Sequence, residues 1–434
     1  MTSRAGAGRG AASWAGLALL FWFCTFCVAD AAVERTRLPV GSTVILRRDA
    51  TVPTVALELW FRAPSTGFGS PTVGLARYAA TAIAASSSGD GLSVSQLIKS
   101  VGGRFLISVY PDAVSIAASV PGGTEIRVLK ALTTAYFSPN LNADAMRSAL
   151  RDVVVTGTQE LLDPEAALHD ALFAHLFSSG PAHYATLPPN GSLLSHVSLV
   201  ELRQFAARAF RSSNAVLTIA GDAPASVSAN VAAGRVDGLA MVGPLDSTPA
   251  PGATTSTEPY AEDALGLAWL GPPISDPKAA TALDFIADYL FRADTGVVTR
   301  ASLVEAPDAV LTGQFVTLHD PGVMLVEIEG KQLELVRNSV QEQLERIKRP
   351  LTQSAFEAAR RAFEYHVLSD AETPLAAADN FGWYAVEGDA LYAPSDDGAK
   401  YLQAAESLDP AYVARIAQQY LGTPTVVQLK ASRK

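Results

Sequence analysis

The chain has 434 residues, 49% hydrophobic and 18% charged, with a formal net charge of −10. At about 100–200 residues per domain this allows two to four globular domains, and it excludes long disorder or a collagen-like repeat as the main content. The acidic balance argues against nucleic acid as a main partner, and two cysteines, Cys24 and Cys27, exclude a disulfide scaffold.

The N-terminus carries Arg4 and Arg9, then an apolar run from Ala15 to Val28, then Ala29-Asp30-Ala31. That order is the one of a secretory signal peptide over residues 1–31, with a small-x-small cleavage site. The run is short for a membrane span, which needs about 20 apolar residues. The expectation is an exported, periplasmic protein, free of the membrane once the signal is cut and anchored if it is not.

Strand-like text follows at 42–47 and 54–61, then a small-residue helix at 74–85. Alternating runs at 103–110 and 113–120 predict two further strands, and helical text extends from 125 to 176. A helix at 199–210 leads into a strand at 215–220. Residues 240–260 are rich in Pro, Gly, Ser and Thr, without apolar period, and read as a linker. Beyond it come a strand at 264–270, a helix at 278–292, and strands at 310–318 and 323–328. Helices at 332–348, 352–368 and 410–420 precede a closing strand at 425–429. The stripe Leu333, Val336, Val340, Leu344 and Ile347 has the spacing of a core-facing helix. Glu327 and Glu329 predict a half-buried strand with its carboxylates in water. The same order of strands and helices occurs twice, so the expected fold class is α+β in two homologous domains, 32–239 and 261–434.

The text Thr54-Val-Ala-Leu-Glu-Leu-Trp-Phe-Arg-Ala-Pro, followed by Gly74-Leu-Ala-Arg-Tyr-Ala-Ala-Thr81, resembles the entry strand and active-site helix of the pitrilysin/insulinase family of inverted-motif zinc peptidases. The resemblance continues through Asp163-Pro164, His169-Asp170, the helix at 199–210, Asn214–Asp222 and Gly296-Val-Val-Thr-Arg300. It covers most of the chain past the signal. It implies two similar domains, each a bent, mostly antiparallel sheet with packed helices. Together they form half of a clam-shell whose other half is a second subunit, around an unfolded peptide.

The family's H-x-x-E-H text places two His on one helix face to bind zinc, with a Glu to activate water. Aligned on Gly74-Leu75-Ala76, those positions hold Arg77, Ala80 and Thr81. The distal Glu ligand falls at Val155 or Thr156, and the Arg and Tyr that hold the substrate carbonyl fall at Ala306 and Gly313. A guanidinium has no lone pair for zinc, and Ala80 has nothing to carry a proton. The resemblance therefore implies no catalytic residues, no cofactor and no metal here, with zinc expected only in a partner.

The expected function is that of a non-catalytic subunit. It pairs with an active zinc-bearing homologue as a heterodimer, or with itself, and holds an extended peptide, with a strand edge near 105–119 as the docking strand. Two alternatives stand beside it. One is a stand-alone periplasmic peptide-binding or scaffolding protein. The other is a metalloprotease with a relocated metal site built from His169, His175 or His183. His169 and His175 lie six apart, on nearly opposite sides of a helix. No G-x-S-x-G elbow or G-K-[ST] loop supports other hydrolase or nucleotide chemistry.

Overall fold

The computed structural model describes residues 33–69, 72–87, 91–179, 193–234, 248–250, 252–388 and 400–431. Residues 1–31, which the sequence reads as a signal peptide, His183 and residues 240–247 lie outside them. Among the described residues no helix is long and apolar enough to cross a membrane.

The first half runs β1 (Val33–Arg37), β2 (Thr43–Arg48), β3 (Thr54–Arg62), α1 (Leu75–Ala85), α2 (Val94–Ser100), β4 (Arg104–Val109) and β5 (Ala113–Pro121). The helices α3 (Glu125–Phe137), α4 (Ala143–Glu160) and α5 (Pro164–Leu176) follow. Then come β6 (Phe177–Ser179), α6 (Leu199–Ala209) and β7 (Ala215–Gly221). The second half runs β8 (Thr248–Pro249), β9 (Thr255–Tyr260), β10 (Ala264–Leu270), α7 (Pro277–Phe291), α8 (Val297–Glu305), β11 (Ala309–Val316) and β12 (Val323–Gly330). It closes with α9 (Leu333–Ile347), α10 (Gln353–Ser369), α11 (Pro374–Glu387), α12 (Lys400–Glu406), α13 (Pro410–Tyr420) and β13 (Thr425–Ala431).

Two sheets organise these elements. The first has the order β1-β2-β7-β3-β5-β4, and the second β11-β12-β10-β13-β9. Each contains one parallel pair, β2 with β7 and β13 with β9; the other pairs within them are antiparallel. Apart from β1, the two orders superpose strand for strand: β2, β7, β3, β5, β4 against β9, β13, β10, β12, β11. The duplication read from the sequence is thus a topological one, and the fold is α+β with two similar sheets.

The central strand β3 is buried along nearly its whole length, because helices cover both faces of its sheet. Val55, Leu57, Leu59 and Phe61 enter the first half's main core with α1, α3 and α6. The alternate residues Ala56 and Trp60 meet Ala377, Ala378 and Val386 of α11 instead. The second sheet is treated in the same way. Its inner face packs on α7, α9 and α13, while Ala264, Ala268 and Leu325 meet Leu168, Leu172 and Phe173 of α5. The helix at the same place in each half therefore covers the other half's sheet.

Both exchanged helices begin with a capping side chain followed by proline. Asp163 accepts from Glu165 N and Thr373 from Ala376 N, with Pro164 and Pro374 at the first helical position. Such a cap satisfies an orphan N–H, and proline supplies the right φ where no donor is needed. Gly382 lets α11 lie close on the sheet: a Cβ there would stand 1.9 Å from Trp60 Nε1.

The stretch 240–260 contains β8 and β9, and β9 is an outer strand of the second sheet. The face of β12 expected in water is covered at Glu327, while Glu329 stays partly exposed. Glu327 is 2% exposed, because α5 crosses over it.

Candidate functional site

The helix α1 starts at Gly74, which takes φ 84° and turns the chain from the end of β3 into the helix. Ala79, Ala80 and Ile83 face the core, and Tyr136 Oη donates to Ala80 O at 2.9 Å. Arg77 and Thr81, four residues apart, share the opposite side. They line a cleft of about 340 Å³ with Phe105, Leu106, Thr156 and Glu160.

Within that cleft Arg77 Nη1 donates to Glu160 Oε1 at 2.7 Å. The two side chains are 13% and 33% exposed, so the pair is partly shielded from water. Glu160 lies one helical turn beyond Thr156 on α4, and sequence counting passes over it. Of the two places considered for a distal ligand, Thr156 lines the cleft and Val155 is exposed elsewhere.

These residues do not fit zinc. A permanent cation stands at the first ligand position, and the carboxylate nearest to it is engaged in an ion pair. Ala80 is buried and has no polar atom, and Thr81 offers only a neutral hydroxyl. Among the described residues no group of three His, Cys, Asp or Glu is arranged to hold a metal ion.

The second-half positions are equally bare. Ala306 is fully buried at the end of α8. At Gly313 on β11 a Cβ would come 2.3 Å from the Phe291 ring, so a side chain there has no room. The histidines are dispersed. His169 Nδ1 lies 3.7 Å from Glu327 Oε1 and its ring stacks on Phe173. His175 Nε2 lies 3.1 Å from Glu258 Oε1, at a separate carboxylate. His366 meets Asp288 at 3.0 Å, and His319 Nδ1 meets Glu387 O at 2.8 Å. His169 and His175 are not brought together, so the relocated metal site is not assembled by them.

Beside the cleft, β4 is an outer strand of the first sheet, hydrogen-bonded only to β5. Leu106 on it is 56% exposed. Within the 105–119 stretch the free edge is β4 alone. The rest of the 105–119 stretch is β5, which is paired on both sides with β3 and β4.

A different concentration of charge lies where α11 crosses the first sheet. Glu58 and Asp379 face each other there, with Ser115 donating to Glu58 and Tyr110 stacked on Trp60. Burial, and then the neighbouring carboxyl, push Glu58 well above the ordinary carboxylate range. Asp112 and Glu387 form a second pair, both raised by burial, with Arg62 and His319 around them. Buried carboxylate charges are costly, so burial works against full ionisation of either pair. These pairs escape sequence reading, because their members lie 275 or more residues apart.

Residues 196–363 match the family model described as the Peptidase M16 inactive domain. No curated protein sequence matches the chain. Solved structures do. A protease from Helicobacter pylori has a TM-score of 0.81 at 18% identity, covering 92% of this chain and 99% of that one. An M16-like peptidase from Alicyclobacillus acidocaldarius has a TM-score of 0.74 at 16% identity, over 92% and 98%. A Peptidase M16 inactive domain structure from Pseudomonas fluorescens has a TM-score of 0.73 at 18% identity, over 92% and 98%. The shared architecture is that of M16-type proteins. The family match covers residues 196–363, and the chain shares the fold of these structures, with Arg77, Ala80 and Thr81 at the positions where the resemblance places the zinc motif.

Proposed function

We propose that this protein is a non-catalytic, peptide-holding member of the pitrilysin-type fold, working as one half of a two-part chamber whose other half is an active, zinc-bearing homologue. The observation that carries this reading is the Arg77–Glu160 pair: it closes the helix where a metal would be gripped, yet leaves the neighbouring β4 edge open. An outer strand with free backbone groups can bind an extended peptide by adding it as a further strand, largely independent of its sequence. The cleft beside β4 supplies apolar contact through Phe105 and Leu106. Export by the N-terminal segment would put such a subunit where unfolded secreted peptides occur.

The test has two arms. The purified protein is assayed for metal content and peptide hydrolysis, alone and with an active homologue from the same genome. The amides of residues 104–109 are followed by hydrogen exchange with and without an unfolded peptide. The reading expects no stoichiometric zinc, no hydrolysis alone, faster hydrolysis in the mixture and slowed exchange along β4. Stoichiometric zinc with hydrolysis by the single chain would overturn it. Peptide protection without any effect on a homologue would leave a stand-alone binding protein in its place.

A further inference from the structure

The helix α11 belongs to the second half and covers the first half's sheet, and both carboxyl pairs straddle that contact. Glu58 on β3 faces Asp379 on α11, and Asp112, in the turn before β5, faces Glu387 at the end of α11. Each pair therefore takes one member from each half. Glu58 and Glu387 are 1% exposed and Asp112 is 8% exposed.

The two pairs are furnished differently. Arg62 faces both acids of the second pair, and its Nε donates to Val386 O at 2.6 Å. His319 N donates to Glu387 Oε2 at 2.8 Å from the other half. The groups that bear on Glu58 are Asp379, Ser115 and Trp60, with Tyr110 beside both carboxyls, and none of them is basic. The register partners of Glu58 on the neighbouring strands are Ala117 and Thr218, which carry no charge. Ser115 donates to Glu58 Oε1, while Glu58 Oε2 is buried with no hydrogen-bond partner among the described residues.

A dry contact accepts one negative charge on two facing carboxyl groups far more readily than two. Asp379 is only partly buried, so a proton has a path to water there. Trp60, Tyr110 and Trp383 pack beside the pair, with ring centroids 4.8 to 6.0 Å apart. Trp60 and Tyr110 come from the first half. Trp383 sits on α11, and its Nε1 donates to Thr317 O of the second half at 2.8 Å.

We propose that the docking of α11 on the first sheet is a proton-operated latch between the two halves. A proton retained on the Glu58–Asp379 pair holds the helix down. Its release to water sets two like charges against each other across the seam and frees the helix. Undocking uncovers the apolar face formed by Ala56, Trp60 and Ala220. Burial raises both members of the pair, and Asp379 raises Glu58 further, so the docked state binds protons that the open state gives up. Docking is thus fully favoured below the ordinary carboxylate range and weakens as pH rises through about 6 and then about 8. The Asp112–Glu387 pair is raised in the same direction, against the charges of Arg62 and His319, and acts at the other end of the helix.

Backbone hydrogen exchange of the whole protein tests the latch between pH 5.5 and 8.5, after correction for the intrinsic exchange rate at each pH. The amides of residues 378–387 in α11 are compared with those of residues 129–137 in α3, which packs on the other face of the same sheet. Glu58→Gln and Asp379→Asn keep the shape of the pair without its titration, and Glu406→Gln removes an exposed carboxylate as a control. The expected result is an opening of α11 that rises by up to about tenfold per pH unit between 6 and 8, ahead of α3. In Glu58→Gln and Asp379→Asn the rise should fall to about threefold per unit or less, and in Glu406→Gln it should match the parent. If α11 opens in step with α3 at every pH, or if both neutral variants keep the parent's slope, the proposal fails. Should a variant not fold, the comparison of α11 with α3 in the parent still decides.

Discussion

Arg77 Nη1 and Glu160 Oε1 lie 2.7 Å apart, joining the first turn of α1 to the last turn of α4. The pair makes a structural brace of the position that the resemblance aligns with a metal ligand. Removing Arg77 leaves Glu160 without its cation, in surroundings that are two-thirds closed to water. Arg77→Ala is expected to lower stability by about 1–2 kcal/mol, discounted for that partial exposure. Arg77→His should add no bound zinc, because Ala80, Thr81 and Thr156 still supply neither a second nitrogen nor a carboxylate. Urea unfolding and metal analysis check the two statements.

The contact between Gly382 and Trp60 gives a sharper expectation. Trp60 is fully buried, so its ring cannot swing away from a new methyl group. Gly382→Ala should cost about 3 kcal/mol or more, by overpacking the crossing of α11 over the first sheet. Gly422→Ala serves as the control, since nothing lies within 4 Å of a Cβ there. Equal unfolding midpoints for the two variants would contradict the packing described.

Glu327 sets a pH dependence. Burial under α5, and then Glu165, raise its pKa from 4.5 to about 8. The folded chain therefore binds a proton at Glu327 that the unfolded chain releases near pH 4.5. The associated stability is complete below that value and is lost as pH rises through about 8. His169 beside it is held below its ordinary value by burial, so its own contribution changes below pH 6.5 and not above. Glu329, Glu165 and Asp163 surround the site, and Thr312 donates to Glu327. Between pH 6.5 and 8.5, Glu327→Gln should flatten the fall in stability by up to about 1.4 kcal/mol per pH unit. Denaturation midpoints of both proteins across that range provide the check.

The open edge beside the cleft can be probed without touching the core. Leu106 is more than half exposed, so Leu106→Asp should leave unfolding within about 0.5 kcal/mol of the parent protein. Peptide binding, measured by fluorescence anisotropy, should weaken about tenfold. Unchanged binding would move the peptide site away from β4.

Much of the architecture is legible in the residues, and what is not has definable causes. β10 and α13 are read with their observed bounds because their apolar periods are clean and Asp-Pro or turn text borders them. β9 is hidden within Pro- and Thr-rich text: it is an outer strand with alternate residues exposed, so no apolar run announces it. α11 is obscured by Gly382, a weak helix former kept for its close approach to Trp60. The bareness of the metal positions is visible in Arg77, Ala80 and Thr81 alone. The brace to Glu160 is not, since it depends on which turn of α4 meets α1. The exchange of α5 and α11 also leaves no local mark, because a buried helix face looks the same whichever sheet covers it.

That exchange has an evolutionary and a practical consequence. Two identical ancestral chains, each lending one helix to its twin and later fused end to end, would give the present arrangement. Neither product of a cut between residues 234 and 248 could bury both faces of its own sheet, so the pieces should be insoluble apart and should reassemble when made together.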